Sequence, residues 1–146
     1  MFKSRFSRIL ASGALAGAGV VAFAVPSGAA ASGIACKSMT GNITGNVTLK
    51  KCTGNTGKAS KPLPATALAS GGTITWKNNK TTTVKLKVKQ GPGTKCKVGD
   101  TEYDASGKVT KDTTGSVAKG AKTVAKVCVT PAGAITLLPG TQATIG

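Results

Sequence analysis

The chain has 146 residues, with 20 basic and four acidic side chains, four cysteines and no histidine, and its net charge is +16. Without histidine, neither a Ser-His-Asp triad nor a Cys-His pair can be built, and a zinc site loses a common ligand. The composition therefore predicts a protein that is not an enzyme and uses no cofactor.

The first 31 residues have the three parts of a secretory signal. Lys3, Arg5 and Arg8 form a charged head, residues 9–25 are uncharged and mostly apolar, and residues 29–31 are three alanines that suit signal peptidase. We expect a signal helix that is cleaved after residue 31, and secretion to the cell envelope or the extracellular space. The mature protein would be one domain, residues 32–146, without a transmembrane anchor. An uncleaved anchor is the alternative, although the apolar stretch is short for a membrane span.

The mature domain would be basic through lysine alone. Three of the 20 basic residues lie in the signal, so 17 lysines and no arginine remain, against four acids. Lysine is a hydrated point charge and lacks the planar fork with which arginine reads phosphates and guanine edges. We therefore expect no sequence-specific binding to nucleic acid. The charge favours loose association with anionic polymers, and solubility is an equally sufficient reason for it.

Alternating apolar and polar residues predict short strands along the mature chain. The first contains Ile43, Gly45, Val47 and Leu49 in alternation. A long surface loop follows at residues 54–72, because this segment is rich in glycine, serine, threonine and proline. The remaining predicted strands are residues 73–77, 82–89, 102–104, 108–110, 122–130, 134–138 and 143–145, with turns at 78–79, 106–107 and 131–133.

This pattern predicts an all-β domain. The favoured architecture is an antiparallel β-sandwich of the Ig-like or Greek-key type, and a small β-barrel is the alternative. The expected core consists of the aliphatic residues on the inward phase of these strands, together with the single tryptophan: Ile43, Val47, Leu49, Ile74, Trp76, Val84, Leu86, Val88, Val109, Val127, Val129, Ile135 and Leu137.

The strand at residues 82–89 separates apolar from charged side chains. Its valines and leucine alternate with Lys85, Lys87 and Lys89, which are expected to point into solvent. These lysines are the candidate contacts for a polyanion. Alternatively, they only protect the sheet from edge-to-edge pairing with other molecules.

Three of the four acids, Asp100, Glu102 and Asp104, are spaced by two and form a weak calcium candidate. The EF-hand pattern fails, because Ala105 replaces its glycine and Lys111 replaces its terminal glutamate. The favoured alternative is that these carboxylates face lysines across the sheet, and we predict no metal site.

Four cysteines in an exported chain predict two disulfides, and three pairings are possible. We expect Cys36–Cys52 and Cys96–Cys128, because each pair brackets a segment that reads as a local folding unit. Each bridge would stabilise the domain by about 3–4 kcal/mol.

Short sequence runs between the four cysteines resemble those of small secreted actinobacterial proteins. The runs are GNITGNVTL at residues 41–49, GTITW at 72–76 and KTTT at 80–83. The resemblance covers most of the mature chain and implies a bacterial, extracytoplasmic, disulfide-bonded β-domain, without implying a ligand. A four-cysteine secreted sandwich also resembles the apoproteins that carry enediyne antibiotics, but too few of their motifs are present to transfer a binding site.

The leading functional expectation is a secreted, non-enzymatic domain that associates with anionic cell-envelope or extracellular polymers through Lys85, Lys87 and Lys89. One alternative is a small-molecule carrier or protease inhibitor, and another is an antimicrobial or toxin-like protein. A carrier requires a concave apolar pocket, and a filled core would exclude it.

Overall fold

A computed structural model describes residues 31–146, so the predicted signal lies outside the described residues except for its last alanine. Within this range the chain forms nine strands and one short helix: β1 (Ile34–Asn42), β2 (Asn46–Cys52), β3 (Leu63–Pro64), α1 (Thr66–Ser70), β4 (Gly71–Thr75), β5 (Thr81–Gln90), β6 (Thr101–Asp112), β7 (Lys122–Val129), β8 (Ala134–Leu137) and β9 (Ala143–Ile145). A helix of five residues is far too short to span a bilayer, and no membrane-spanning helix occurs between residues 31 and 146.

All nine strands belong to one antiparallel sheet. Its order is β3-β2-β1-β8-β7-β6-β5-β4, and β9 pairs with both β1 and β7. The strands β8 and β9 share one position in the sheet, because each pairs with a different half of β1 and of β7. The predicted all-β, antiparallel, sandwich-like fold is confirmed.

Residues 59–61 join the two sides of the sheet. Ser60 N donates a hydrogen bond of 2.9 Å to Leu49 O in β2, and Lys61 N donates one of 2.8 Å to Thr75 O in β4. Ser60 is buried, and its hydroxyl accepts a further hydrogen bond from Leu49 N at 2.9 Å. The prediction of a surface loop at residues 54–72 is therefore only partly right. Residues 54–62 form no named strand or helix and are mostly exposed, but residues 63–72 contain β3, α1 and the start of β4.

The predicted strand around Ile43 is also wrong, because residues 43–45 form a turn. The side-chain oxygen Asn42 Oδ1 accepts hydrogen bonds from Thr44 N at 3.0 Å and Thr44 Oγ1 at 2.8 Å. The chain reverses at this point, and β1, which the alternation did not reveal, pairs with β2. As a result Ile43 is 51% exposed and does not belong to the core.

Ser106 and Gly107 lie in the middle of β6 and do not form the predicted turn. A Cβ atom at Gly107 would collide with the carbonyl oxygen of Lys85 in β5. Glycine is required here because the two strands approach each other closely, which is a frequent reason for glycine inside a strand.

Both predicted disulfides are confirmed. Cys36 and Cys52 are directly opposite each other in β1 and β2, and their sulfur atoms are 2.06 Å apart. The second bridge, Cys96–Cys128, has a sulfur–sulfur distance of 2.02 Å and ties the β5–β6 connection to β7.

The core is densely packed around Trp76, which is fully buried. Its indole N–H donates to Thr82 Oγ1 at 2.8 Å, and that hydroxyl donates to Asp112 Oδ1 at 2.6 Å. The other carboxylate oxygen accepts from Thr114 Oγ1 at 2.7 Å. Burial alone would raise the pKa of Asp112, but the hydrogen bonds from Thr82 and Thr114 outweigh it and hold this pKa below its ordinary value.

Several predicted core residues on the other side of the interior are not fully buried. Val88 is 38% exposed, and Leu86, Val127, Val129 and Leu137 are half-buried. The remaining predicted core residues are buried as expected: Val47, Leu49, Ile74, Trp76, Val84, Val109 and Ile135. The interior is therefore incompletely filled next to β5 and β7.

Candidate functional site

An apolar pocket of about 290 Å³ lies inside the folded sheet. Voids of this size are rare in a packed protein interior, and the volume is close to the lower end of small-molecule sites, roughly 300–1,000 Å³. Its lining comes from α1 and from every strand except β3, and it includes Met39, Leu49, Leu68, Ile74, Val84, Leu86, Val88, Tyr103, Ala105, Ala125, Val127, Val129, Ile135, Ala143 and Ile145.

Small side chains on the inward faces of β6 and β7 leave room for this pocket. Ala105 and Ala125 are opposite each other in the register, and both line the pocket. Because a strand alternates its faces, a larger residue at either alanine would enter the pocket.

Exposed hydrophobic side chains mark where the pocket opens to solvent. Ile43, Val88 and Val124, which are 51%, 38% and 41% exposed, are three of the four exposed large hydrophobic residues in the described part of the chain. All three line the pocket, as do the exposed α1 residues Thr66 and Ala69. A concave apolar surface that is open to solvent is typical of a small-molecule site.

One buried hydroxyl in the pocket wall has no partner. Thr123 lines the pocket and is buried, and its Oγ1 makes no hydrogen bond to any of residues 31–146. Buried polar groups are nearly always hydrogen-bonded. A polar atom of a bound molecule would gain a hydrogen bond at this position.

The three predicted lysines are exposed on the outer face of β5, and two of them line an open groove. Lys85 and Lys87 form part of this groove, which has a volume of about 810 Å³ and is lined by no acidic residue. Three further lysines line the groove and were not among the predicted contacts, because they lie on β6, on β7 and in the connection between these strands. They are Lys108, Lys119 and Lys122.

Strand register explains why these lysines come together. Lys85 is opposite Lys108, and Lys108 is opposite Lys122, so three lysines cross β5, β6 and β7 in one row. Like charges directly opposite each other destabilise a sheet, and a bound anion would relieve this repulsion. The row could be found from the sequence only if the pairing of the three strands were known.

Lys89, the third predicted lysine, does not line the groove. It is opposite Asp104 in the register, and Asp104 Oδ1 is also 3.6 Å from Lys126 Nζ. This ion pair agrees with the favoured interpretation of the acids as partners of lysines across the sheet.

The three acids of the weak calcium candidate do not form a metal site. Glu102 is only 2% exposed, and its side chain is covered by Gly91 from the β5–β6 connection. Asp104 is turned to Lys126 instead. Between residues 31 and 146, no three metal-ligating side chains lie close enough together to hold an ion.

Comparisons of the chain with protein-family models, with curated proteins and with solved structures find no match. No relative therefore supplies a ligand or a residue role. The pocket and the lysine groove are therefore the two features of the structure from which a function can be inferred.

Proposed function

We propose that this protein is a secreted, non-enzymatic β-domain that binds an apolar small molecule in its interior pocket and acts as a carrier. The observation that carries the proposal is the apolar pocket of about 290 Å³, with exposed hydrophobic residues at its opening. Among the functions considered from the sequence, only small-molecule carriage requires such a pocket.

The state of the cysteines supports two parts of this proposal, namely that the protein is secreted and that it is not an enzyme. All four are paired in disulfides, which persist mainly in oxidising environments outside the cytosol. A paired cysteine is not a nucleophile, and the chain has no histidine to activate a hydroxyl group.

The pocket favours a ligand that is mostly hydrocarbon. Burying about ten methylene groups would contribute roughly 8 kcal/mol, and immobilising the ligand costs about 4 kcal/mol or more. The net gain is then about 4 kcal/mol, so we expect a dissociation constant of about 1 mM. The single unpaired hydroxyl, Thr123 Oγ1, leaves room for one polar atom in the buried part of the ligand.

Titration with the uncharged dye N-phenyl-1-naphthylamine tests the pocket in the disulfide-intact mature protein. We expect a saturable increase in dye fluorescence whose affinity is reduced in Ala105→Leu and in Ala125→Leu, because each substitution puts three further carbon atoms into the pocket. Ala118→Leu is the matched control, since Ala118 is exposed and does not line the pocket. A wild-type protein without saturable binding, or an Ala105→Leu variant that binds equally well, would contradict the proposal.

The lysine groove supports association with anionic polymers as a second function. Five lysines without an acid in the groove create a positive field that attracts polyanions in a salt-dependent manner. The protein should elute from heparin or teichoic-acid resin at lower salt when Lys108→Gln and Lys122→Gln are combined. The control is Lys37→Gln with Lys50→Gln, which removes the same charge from the exposed surface of β1 and β2. Equal elution of the two variants would exclude a specific role for the groove.

A further inference from the structure

We propose that the ligand of the pocket is a single-chain anionic amphiphile. Its hydrocarbon chain would lie in the pocket, and its carboxylate, sulfate or phosphate would lie at Lys85 and Lys87. The proposal rests on the pocket function described above and adds the charge and shape of the ligand.

The opening of the pocket runs along a free edge of β5. Pairing between β4 and β5 extends only from Thr75↔Thr81 to Gly71↔Lys85, so the last five residues of β5 have no strand partner on that side. The helix α1 lies beside β5 and contacts it. One lip of the opening is therefore the end of β5, and the other lip is α1.

Alternation along β5 puts lysines next to the apolar lining at this lip. Leu86 and Val88 line the pocket, and Lys85 and Lys87, which alternate with them along the strand, line the adjoining groove. Consecutive Cα atoms are only about 3.8 Å apart, and a lysine can extend its flexible stem along apolar surface while its ammonium group stays in water. Both ammonium groups can therefore reach an anion at the pocket opening.

The pocket and the groove adjoin each other. Leu86 in β5 and Thr123 and Val124 in β7 line both of them, and Ser70, the last residue of α1, lines the groove beside Lys85 and Lys87. A molecule that leaves the pocket between α1 and β5 thus emerges directly beside the two lysines.

The charge of this lip is one-sided, and this selects the head group. Lys85 is opposite Lys108 and Lys87 is opposite Ser106, so neither lysine faces a carboxylate in the register. Lys89 contributes less, because it is opposite Asp104. A positive field attracts an anion and repels a cation. A neutral hydrocarbon would leave the lysines unused, and a polymeric anion would leave the pocket unused.

Displacement of N-phenyl-1-naphthylamine by three surfactants with the same chain tests the inference. Dodecanoate and dodecyltrimethylammonium are compared below their critical micelle concentrations, and dodecanol below its solubility limit, all at low salt. We expect dodecanoate to bind about tenfold more tightly than dodecanol, since two exposed ion pairs give an effect of about this size. The ammonium compound should bind more weakly than dodecanol, and added salt should reduce the preference for dodecanoate.

The double variant Lys85→Gln with Lys87→Gln tests whether these two lysines cause the preference for dodecanoate over dodecanol. Dodecanoate should then bind no better than dodecanol, and the affinity for dodecanol should stay unchanged. The control variant Lys37→Gln with Lys50→Gln should keep the tenfold preference, because these lysines are on β1 and β2.

Equal binding of the three surfactants by the wild type would overturn the anionic ligand and leave the pocket function intact. If the variant of Lys85 and Lys87 keeps the preference, or if the control loses it, the position of the head group at these two lysines is overturned and the pocket function again stays intact. A wild-type protein that binds neither the dye nor any surfactant would instead overturn the pocket function itself.

Discussion

Replacing Ala105 by leucine should stabilise the protein, which is the reverse of the usual result of enlarging a buried residue. Ala105 is 7% exposed and lines the pocket of about 290 Å³. Leucine adds three carbon atoms, and each buried methylene contributes about 0.8 kcal/mol, so the gain has an upper limit of roughly 2 kcal/mol. In a filled core, the same enlargement costs about 1–3 kcal/mol through overpacking. The two situations therefore differ in the sign of the change in unfolding free energy.

Urea unfolding of the disulfide-intact protein measures this change. The fluorescence of Trp76 reports the transition, because this is the only tryptophan and it is fully buried. Ala59→Leu is the matched control, since Ala59 is buried but does not line the pocket. The unfolding free energy of the control should fall by about 1–3 kcal/mol. If the unfolding free energy of Ala105→Leu falls by as much, the interior beside β6 is filled and the expected stabilisation is refuted.

Three other substitutions test the framework that holds the pocket. Asp112→Asn should cost about 1 kcal/mol at neutral pH, because it weakens the hydrogen bonds from Thr82 and Thr114. The pKa of Asp112 in the folded protein lies below its ordinary value of 3.8. The ionised carboxylate therefore stabilises the fold above pH 3.8, and this contribution is lost as the pH falls through the pKa of the folded protein. The urea midpoints of variant and wild type should therefore converge in acid, and a difference that persists there would contradict the assignment. Gly107→Ala should cost about 1–3 kcal/mol in the same assay, because its Cβ would strike the carbonyl oxygen of Lys85, whereas Gly45→Ala, with open space around it, should change stability by less than about 0.5 kcal/mol. Removing the Cys36–Cys52 bridge by alanine at both positions should cost roughly 3 kcal/mol, given its separation of 16 residues, and an unchanged thermal midpoint would exclude this contribution.

The alternation of side chains made part of the fold predictable. On β5, the phase that buries Val84 and exposes Lys85 and Lys87 is the one expected from the sequence. Both disulfides were predictable as well, because each joins cysteines that are consecutive along the chain, 16 and 32 residues apart. These features depend on the pattern within one segment of the chain, which a sequence contains directly.

Other features depend on contacts between distant residues. The alternation through Ile43 and Val47 is equally compatible with one strand or with two strands and a turn, and the hydrogen bonds of Asn42 decide for the turn. Gly107 has the appearance of a turn residue, but the close approach of Lys85 in β5 places it inside a strand. Ser60 joins β2 to β4 across a segment whose composition is typical of a loop.

The pocket was not predictable, because it consists of what the core does not fill. Its signal in the sequence is weak: Ala105 in β6 and Ala125 in β7 are small residues on inward positions. They produce a pocket only because the register places Ala105 opposite Ala125. The lysine groove has the same origin, since Lys108 and Lys122 reach Lys85 only through the pairing of three strands.

Intermolecular NOEs can locate a small apolar molecule in the interior between β5, β7 and α1. With dodecanoate bound to methyl-labelled protein, we expect NOEs from the chain protons of the ligand to the methyl groups of Leu68, Leu86 and Val127, which line the pocket. NOEs restricted to surface methyl groups such as the fully exposed Val98, or no NOEs at all, would contradict this expectation.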